Sequence, residues 1–301
     1  MFAGNPNAFT HNPLDKAGVA RKDPDWVAAQ KRHPGARMLL VWRGEILIDR
    51  GPTKSSLQWL TLDALAHLPK GSELVLLGLW NGSPVFAADV SSAEPQPFAD
   101  VASYAPLRKA APFLPPDEAS VAGQAVWLLD WHGRTRFCAL EGDRTLSAEG
   151  GFKRINERTK TEHFPRTDPV AIVLPIHEDS VCLGRGPHFP QGFMSAFAGY
   201  LEPGETLEQC GERELFEEAG LVTRSMRYLF SQPWPFPSSL MMGFIAEVED
   251  KNLTLDPTEI EEARWFSRQE AEAILAGDHE VTCPPRMAIA HQILRHWVEA
   301  T

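Results

Sequence analysis

The stretch Gly199–Leu221, GYLEPGETLEQCGERELFEEAGL, constrains this chain more than any other. Pro203-Gly204 reads as a turn, Thr206 or Glu205 stands near a helix start, and Gly220 falls where a C-terminal cap glycine is expected. Glu208, Glu212, Glu214, Glu217 and Glu218 all lie on this one helix. At ~100° per residue, Glu214, Glu217 and Glu218 fall within an arc of about 100°. Leu215, Phe216 and Ala219 lie on the other side and are predicted to face a core. Three carboxylates on one face repel unless a positive charge sits among them. A hard divalent cation such as Mg²⁺ or Mn²⁺ takes oxygen ligands of this kind, binds phosphate oxygens and activates water. Arg213 is placed to orient one of the carboxylates. The bland alternative is a solvated acidic helix with i,i+4 pairs. It would need the Gly, Glu, Arg and Leu spacings all to be coincidental.

Those spacings meet every specified position of G-x5-E-x7-R-E-U-x-E-E-x-G-U, with U apolar, and the stretch resembles the Nudix box. The resemblance implies hydrolysis of a nucleoside diphosphate linked to another group. By that resemblance Glu214, Glu217 and Glu218 are metal ligands, and Glu205 and Arg213 are orienting partners in the catalytic set.

A chain of 301 residues with 43% apolar content suffices for two domains with real cores. A net charge of −11 argues against a broad basic surface for nucleic acid and against diffuse attraction to membranes. The four cysteines, Cys138, Cys182, Cys210 and Cys283, are widely spaced without a CxxC pair, which fits buried thiols in a reducing compartment. No apolar run reaches the ~18 residues of a membrane span. The first twenty residues lack the basic and apolar regions of a signal peptide, so a cytoplasmic protein is expected.

Taken in order, residues 1–35 are polar and turn-rich, with a helical patch near Asp25–Lys31. Hairpin signals stand at Arg43-Gly44-Glu45 and Asn81-Gly82-Ser83. Ser56–Pro69 has helix-like leucine spacing, with strand open at its start. A helix is predicted from Pro115-Pro116 through about His132, with Val121, Ala125, Leu128 and Leu129 as its apolar stripe. His67, His132 and the tryptophans of this section are isolated and read as packing residues. From Asp168 strands and helices alternate to a closing helix after Pro284-Pro285. The expected division is 1–132, 133–166 as a linker or small subdomain, and 167–301. The fold class is α/β or α+β. The resemblance implies a C-terminal Nudix fold, with a mixed sheet between helices, after a smaller α+β domain.

Ser231–Ser239, SQPWPFPSS, is the next specific feature. Three prolines, Pro233, Pro235 and Pro237, alternate with Trp234 and Phe236, so the segment is stiff before any ligand arrives. The aromatic faces suit stacking on a nucleobase or nicotinamide ring, and Gln232, Ser238 and Ser239 offer hydrogen bonds. Following the box as it does, this segment is similar to the signature of the NADH pyrophosphatase subgroup. The subgroup splits the pyrophosphate of NADH or NAD⁺ into nicotinamide mononucleotide and AMP, and some members remove NAD caps from RNA. By resemblance, Glu259 reaches the metals from outside the box helix and Ala290 lines the substrate. Ala198 offers a carbonyl to a metal, and Tyr200 stacks on a base.

The subgroup commonly carries a zinc ribbon between its domains. Here Cys138 stands alone, Glu141 holds its partner position, and Asn156 and Thr159 fall where the second pair would be. Structural zinc wants about four Cys or His ligands, so none is expected, and packing and hydrogen bonds are predicted to hold residues 138–163. The resemblance also implies a homodimer. ADP-ribose or another nucleoside diphosphate derivative is the alternative substrate. A catalytically inactive NAD(H)- or RNA-binding module is the alternative class.

Overall fold

The computed structural model describes residues 5–50 and 55–300. The chain forms two compact units. One is Phe9–Arg166 with Trp234–Ser238, and the other is Met1–Ala8, Thr167–Pro233 and Ser239–Thr301.

In the first unit, Asp23 caps helix α1 (Pro24–Gln30) by accepting from the Asp25 N–H. Strands β1 (Arg37–Trp42) and β2 (Glu45–Arg50) form an antiparallel hairpin. Arg43 and Gly44 take positive φ at its turn, the geometry of a two-residue primed turn. Strands β3 (Ser55–Leu57) and β4 (Leu60–Thr61) follow, then a 3-10 turn at Leu62–His67. The leucine spacing there yields no α-helix. Leu60, Leu62, Leu65 and Leu68 are drawn onto the core of Met38, Leu40 and Phe86, and tertiary packing overrides the periodicity. Strands β5 (Leu74–Trp80) and β6 (Ser83–Asp89) form the second hairpin, and β6 runs parallel to β1. Strand β7 (Ser103–Pro106) and the short helix α2 (Leu107–Ala110) lead to α3 (Pro116–Arg134). The sheet order is β3-β2-β1-β6-β5, with β4 on β1 and β7 on β2. Helix α3 buries Val121, Ala125, Leu128 and Leu129.

Strands β8 (Thr145–Ala148), β9 (Lys153–Asn156) and β10 (Glu162–His163) make a small antiparallel sheet. The Glu141 carboxylate gathers the turn beside it, accepting from Cys138 Sγ, Asn156 Nδ2 and Thr161 Oγ1. Thr159 donates its N–H to Asn156 Oδ1. His132 is buried, donates from Nε2 to Gly151 O at 2.7 Å, and accepts at Nδ1 from Arg154, which pairs with Glu73. Burial holds its pKa below the ordinary value. That is the packing role its isolation in sequence suggested.

The second unit is built on a six-stranded mixed sheet. Strands β11 (Asp168–His177), β12 (Ser180–Arg185) and β13 (Phe197–Tyr200) precede helix α4 (Leu207–Ala219). Strands β14 (Thr223–Trp234), β15 (Ser239–Val248) and β16 (Glu262–Ser267), then α5 (Arg268–Ala276) and α6 (Ile289–Glu299), complete it. The order is β14-β15-β11-β12-β16, with β13 on β11. Alternation along β11 sorts the two faces. Ile172 and Leu174 pack with Ile274, Ile293 and Leu294 of α5 and α6. Ala171 and Val173 pack with Cys210, Leu215 and Ala219 of α4. Among the described residues no helix is long and apolar enough to cross a membrane.

Both ends of α4 carry the signals that the sequence displays. Thr206 and Gln209 form a reciprocal capping box. Gly220 closes the helix at φ 69°, its N–H bonded to Leu215 O and Phe216 O. One residue of the expected core face is misplaced. Phe216 is 61% exposed, because Leu215, Ala219 and Cys210 already fill the strip that faces the sheet. A Cβ on Gly220 would come 2.9 Å from Thr254 Cβ as well as forcing a side chain into the left-handed region. Gly220→Ala is expected to lower stability by about 1–2 kcal/mol or more, read as a reduced urea midpoint with an unchanged m-value.

Candidate active site

The site grows from three pieces of the second unit: β13, helix α4, and the loop before β16. Arg213 on α4 is the hub. Its Nε donates to Glu205 Oε1 at 2.6 Å, and its Nη2 donates to Glu205 Oε2 and to Tyr200 O, both at 3.0 Å. Its Nη1 donates to Glu214 at 2.7 Å and to Glu217 at 3.1 Å. Glu205 also accepts from the Glu202 N–H at 2.9 Å. The bonds from Arg213 come first in holding the Glu205 carboxyl down at about 2. The same bonds raise the Arg213 pKa still further above its ordinary value.

Deeper in, one carboxylate oxygen each from Glu214, Glu218 and Glu259 lies within 4.8 Å of the others. Glu214 and Glu218 are each 8% exposed, and Glu259 stands at the open side. Gly199 lets this happen. The Glu214 carboxyl rests on its α-carbon, and a Cβ there would fall 1.8 Å from Glu214 Cδ. Ala198 precedes it on β13, paired with Ile172. Burial raises the Glu214 pKa against the pull of Arg213. Burial, then the charges of Glu214 and Glu259, push the Glu218 carboxyl up to about 8, while the Ala198 backbone amide works the other way. Glu218 Oε2 is buried and has no hydrogen-bond partner among the described residues. A crowded, oxygen-only donor set with an orphaned buried oxygen fits a hard divalent cation.

The sequence-derived trio is therefore split. Glu214 and Glu218 converge, Glu259 takes the third place, and Glu217 turns to Arg213 with its side chain 56% exposed. Tyr200 is 60% exposed, its hydroxyl 3.4 Å from Ser239 Oγ. Gln232 differs from expectation. It is fully buried, its Nε2 donating to Ala8 O and Met287 O and its Oε1 accepting from the Ile289 N–H. Its amide braces backbone instead of waiting for a ligand. Ala290 likewise sits in the apolar cluster of α6 at 6% exposure.

In the first unit, Trp234 and Phe236 meet edge to face at 5.1 Å, with Phe9 against both. Pro235, Ser238 and, in the second unit, Ser239 are buried, Pro233 is half-buried and Pro237 is exposed. Arg108 stands over the rings of Phe236 and Trp234, 4.7 and 5.4 Å from their centroids. No sequence signal marks Arg108, an exposed basic residue on a short helix far from the loop in the chain.

Clustered carboxylates tied to an arginine suit hydrolysis of phosphoric anhydrides with divalent ions. Comparison with known proteins makes the class specific. The family described as "NUDIX domain" matches residues 166–283, and "NADH pyrophosphatase-like rudimentary NUDIX domain" matches residues 35–131. The NAD-capped RNA hydrolase NudC of Mycobacterium bovis (strain BCG / Pasteur 1173P2) is 36% identical over 301 residues, 94% of this chain and 94% of that protein. The NAD-capped RNA hydrolase NUDT12 of Homo sapiens is 32% identical over 339 residues, 97% of this chain and 73% of that protein. A NUDIX hydrolase structure from Nitrosomonas europaea aligns with a TM-score of 0.42 and 25% identity, over 55% of this chain and 91% of that one. The chain belongs to the Nudix hydrolases, in the NADH pyrophosphatase subgroup.

A carboxyl held near 8 in the fold, and near 4.5 otherwise, stabilises the folded chain only while protonated. That contribution is complete below about 4.5 and is lost as pH rises towards 8. The melting temperature of the metal-free protein is expected to fall between about pH 5 and pH 8, and to fall less in Glu218→Gln. Calorimetry in a chelating buffer reads the difference. At the upper pH, Mg²⁺ or Mn²⁺ should raise the wild-type melting temperature and leave the variant's unmoved.

Proposed function

We propose that this enzyme hydrolyses the diphosphate of NADH and NAD⁺, giving nicotinamide mononucleotide, reduced or oxidised, and AMP, and that it removes NAD caps from RNA by the same reaction. The convergence of Glu214, Glu218 and Glu259 around an unpartnered buried oxygen carries the chemistry of the reading. The two relatives named above, and the SQPWPFPSS segment, support its substrate.

Water adds across one P–O–P linkage, and each phosphorus leaves as a monophosphate. Glu214, Glu217, Glu218 and Glu259, with the carbonyl of Ala198, would hold Mg²⁺ or Mn²⁺. When bound, such ions supply Lewis-acid stabilisation of the charge on the diphosphate. The chain's own part is positional. Arg213 clamps Glu205 to the loop after β13 and aims Glu214 and Glu217. Gly199 leaves space for Glu214. Trp234 and Phe236 select the substrate by stacking, stiffened by Pro233, Pro235 and Pro237, with Tyr200 contributing a further ring and Ser238 and Ser239 hydrogen bonds. Gln232 acts through the backbone it braces. A cytoplasmic homodimer is the setting proposed for this activity.

Glu217→Gln and Glu218→Gln are each expected to cut Mg²⁺-dependent NADH hydrolysis by roughly 100-fold or more, with the fold intact by circular dichroism. Gly199→Ala should do the same by displacing the Glu214 carboxyl. Full activity in either glutamine variant would remove the assigned role. A panel of NADH, NAD⁺, ADP-ribose and NAD-capped RNA under both ions tests the substrate. Trp234→Ala should cost about tenfold in preference for NADH over ADP-ribose, and an unchanged ratio would refute the stacking role.

A further inference from the structure

A cavity of about 420 Å³ opens between β14 and α6, in the unit that carries the carboxylates but clear of them. The chain as a whole carries −11, yet Arg227, Arg295 and His296 line this cavity. The opposing charge is Glu299, 3.6 Å from Arg295. Arg227 is exposed and has no ion-pair partner among the described residues. Tyr228 turns its ring away from the cavity, to Phe244 on the α4 face of the sheet, edge to face at 5.6 Å. Phe230 meets His296 edge to face at 6.4 Å.

A second observation is independent of the charges. Gln292, 5% exposed, also lines the cavity. Its Nε2 donates to Arg286 O at 2.5 Å, which fixes the orientation of the amide. Its Oε1 is buried without a hydrogen-bond partner among the described residues. A buried acceptor left unmade costs about 1–3 kcal/mol, and a donor entering the cavity would recover it.

We propose that this cavity is a nucleotide subsite for the RNA that follows the cap. The two guanidinium groups take phosphates, whatever the sequence that follows the cap. Gln292 Oε1 accepts from a base N–H or a ribose 2′-hydroxyl. The subsite lies beside the stem of the substrate loop. Gln232, two residues beyond Phe230, bonds to the Ile289 N–H at the start of α6, so the same two elements carry both. The proposal rests on the cap-removal reading above.

Full-length wild type and the Arg227→Ala/Arg295→Ala double variant are compared on NADH and on a short unstructured NAD-capped RNA. The KM for capped RNA should rise about tenfold in the variant, with kcat and all NADH constants unchanged. The slope of log affinity against log salt should fall by about 1.4, at about 0.7 per phosphate contact on a single strand. Arg227→Lys/Arg295→Lys should keep most of the affinity. An unchanged KM, an equal loss on both substrates, or a change in oligomeric state by light scattering that accounts for the loss would each overturn the proposal. If wild type hydrolyses NADH but not capped RNA, the cap reading fails by itself. Fluorescence anisotropy of a 5′-monophosphate RNA oligomer without divalent ions then decides the subsite: binding lost in the double variant supports it, and equal binding overturns it.

Discussion

Acid crowding around one arginine is the constraint on which this catalytic unit depends. Arg213 donates to Glu205, Glu214 and Glu217 and to the backbone of Tyr200, so one guanidinium fork ties the helix, the loop before it and the end of β13 together. Arginine suits the place because its donors lie in a plane and it keeps its charge at any working pH. Every other feature of the helix accommodates that hub. The capping box sets where the helix starts, and Cys210, Leu215 and Ala219 prevent it from rolling on the sheet.

Depth divides the acids into two kinds. Glu205 and Glu217 lie against Arg213 at the rim, and Glu205 is held ionised far below the ordinary carboxylate range. Glu214 and Glu218 are buried beside one another, and for both the charged form is disfavoured. Repulsion of this size is not a stabilising design for a metal-free fold. It makes sense in a protein whose class works with divalent ions, since a cation converts the same repulsion into affinity. Gly199 is the complementary concession on the opposite strand, giving up a side chain so that the Glu214 carboxyl can approach the backbone.

Much of this was legible before the fold. The turn, the cap residues, the glutamate arc and both hairpin turns are local patterns, and local patterns survive folding when packing agrees with them. The failures share a cause. Phe216 lies on the side that periodicity assigns to the core, but Leu215, Ala219 and Cys210 already fill the strip that faces the sheet. Ser56–Pro69 has helix-like leucine spacing, yet the core below takes its leucines as a 3-10 turn and extended chain. Gln232 looks like a ligand contact in the loop sequence, while its amide satisfies three backbone groups from distant segments.

By itself the sequence determined the class of chemistry, the helix that carries it and the cation it calls for. Residue type and spacing along one helix call for a hard divalent cation, and the resemblance of that stretch to the Nudix box implies the hydrolysis. Only the tertiary structure decided which carboxylates meet. Glu259 is forty-one residues beyond Glu218 in the chain, and Glu217 is one residue before it, yet it is Glu259 that joins the buried pair. Helical phase sets the direction of a side chain, but a neighbouring arginine and a loop returning from the far edge of the sheet set its company. Spacing within the box helix carries no trace of a contact of that kind, and only the resemblance of the stretch around Glu259 pointed to it.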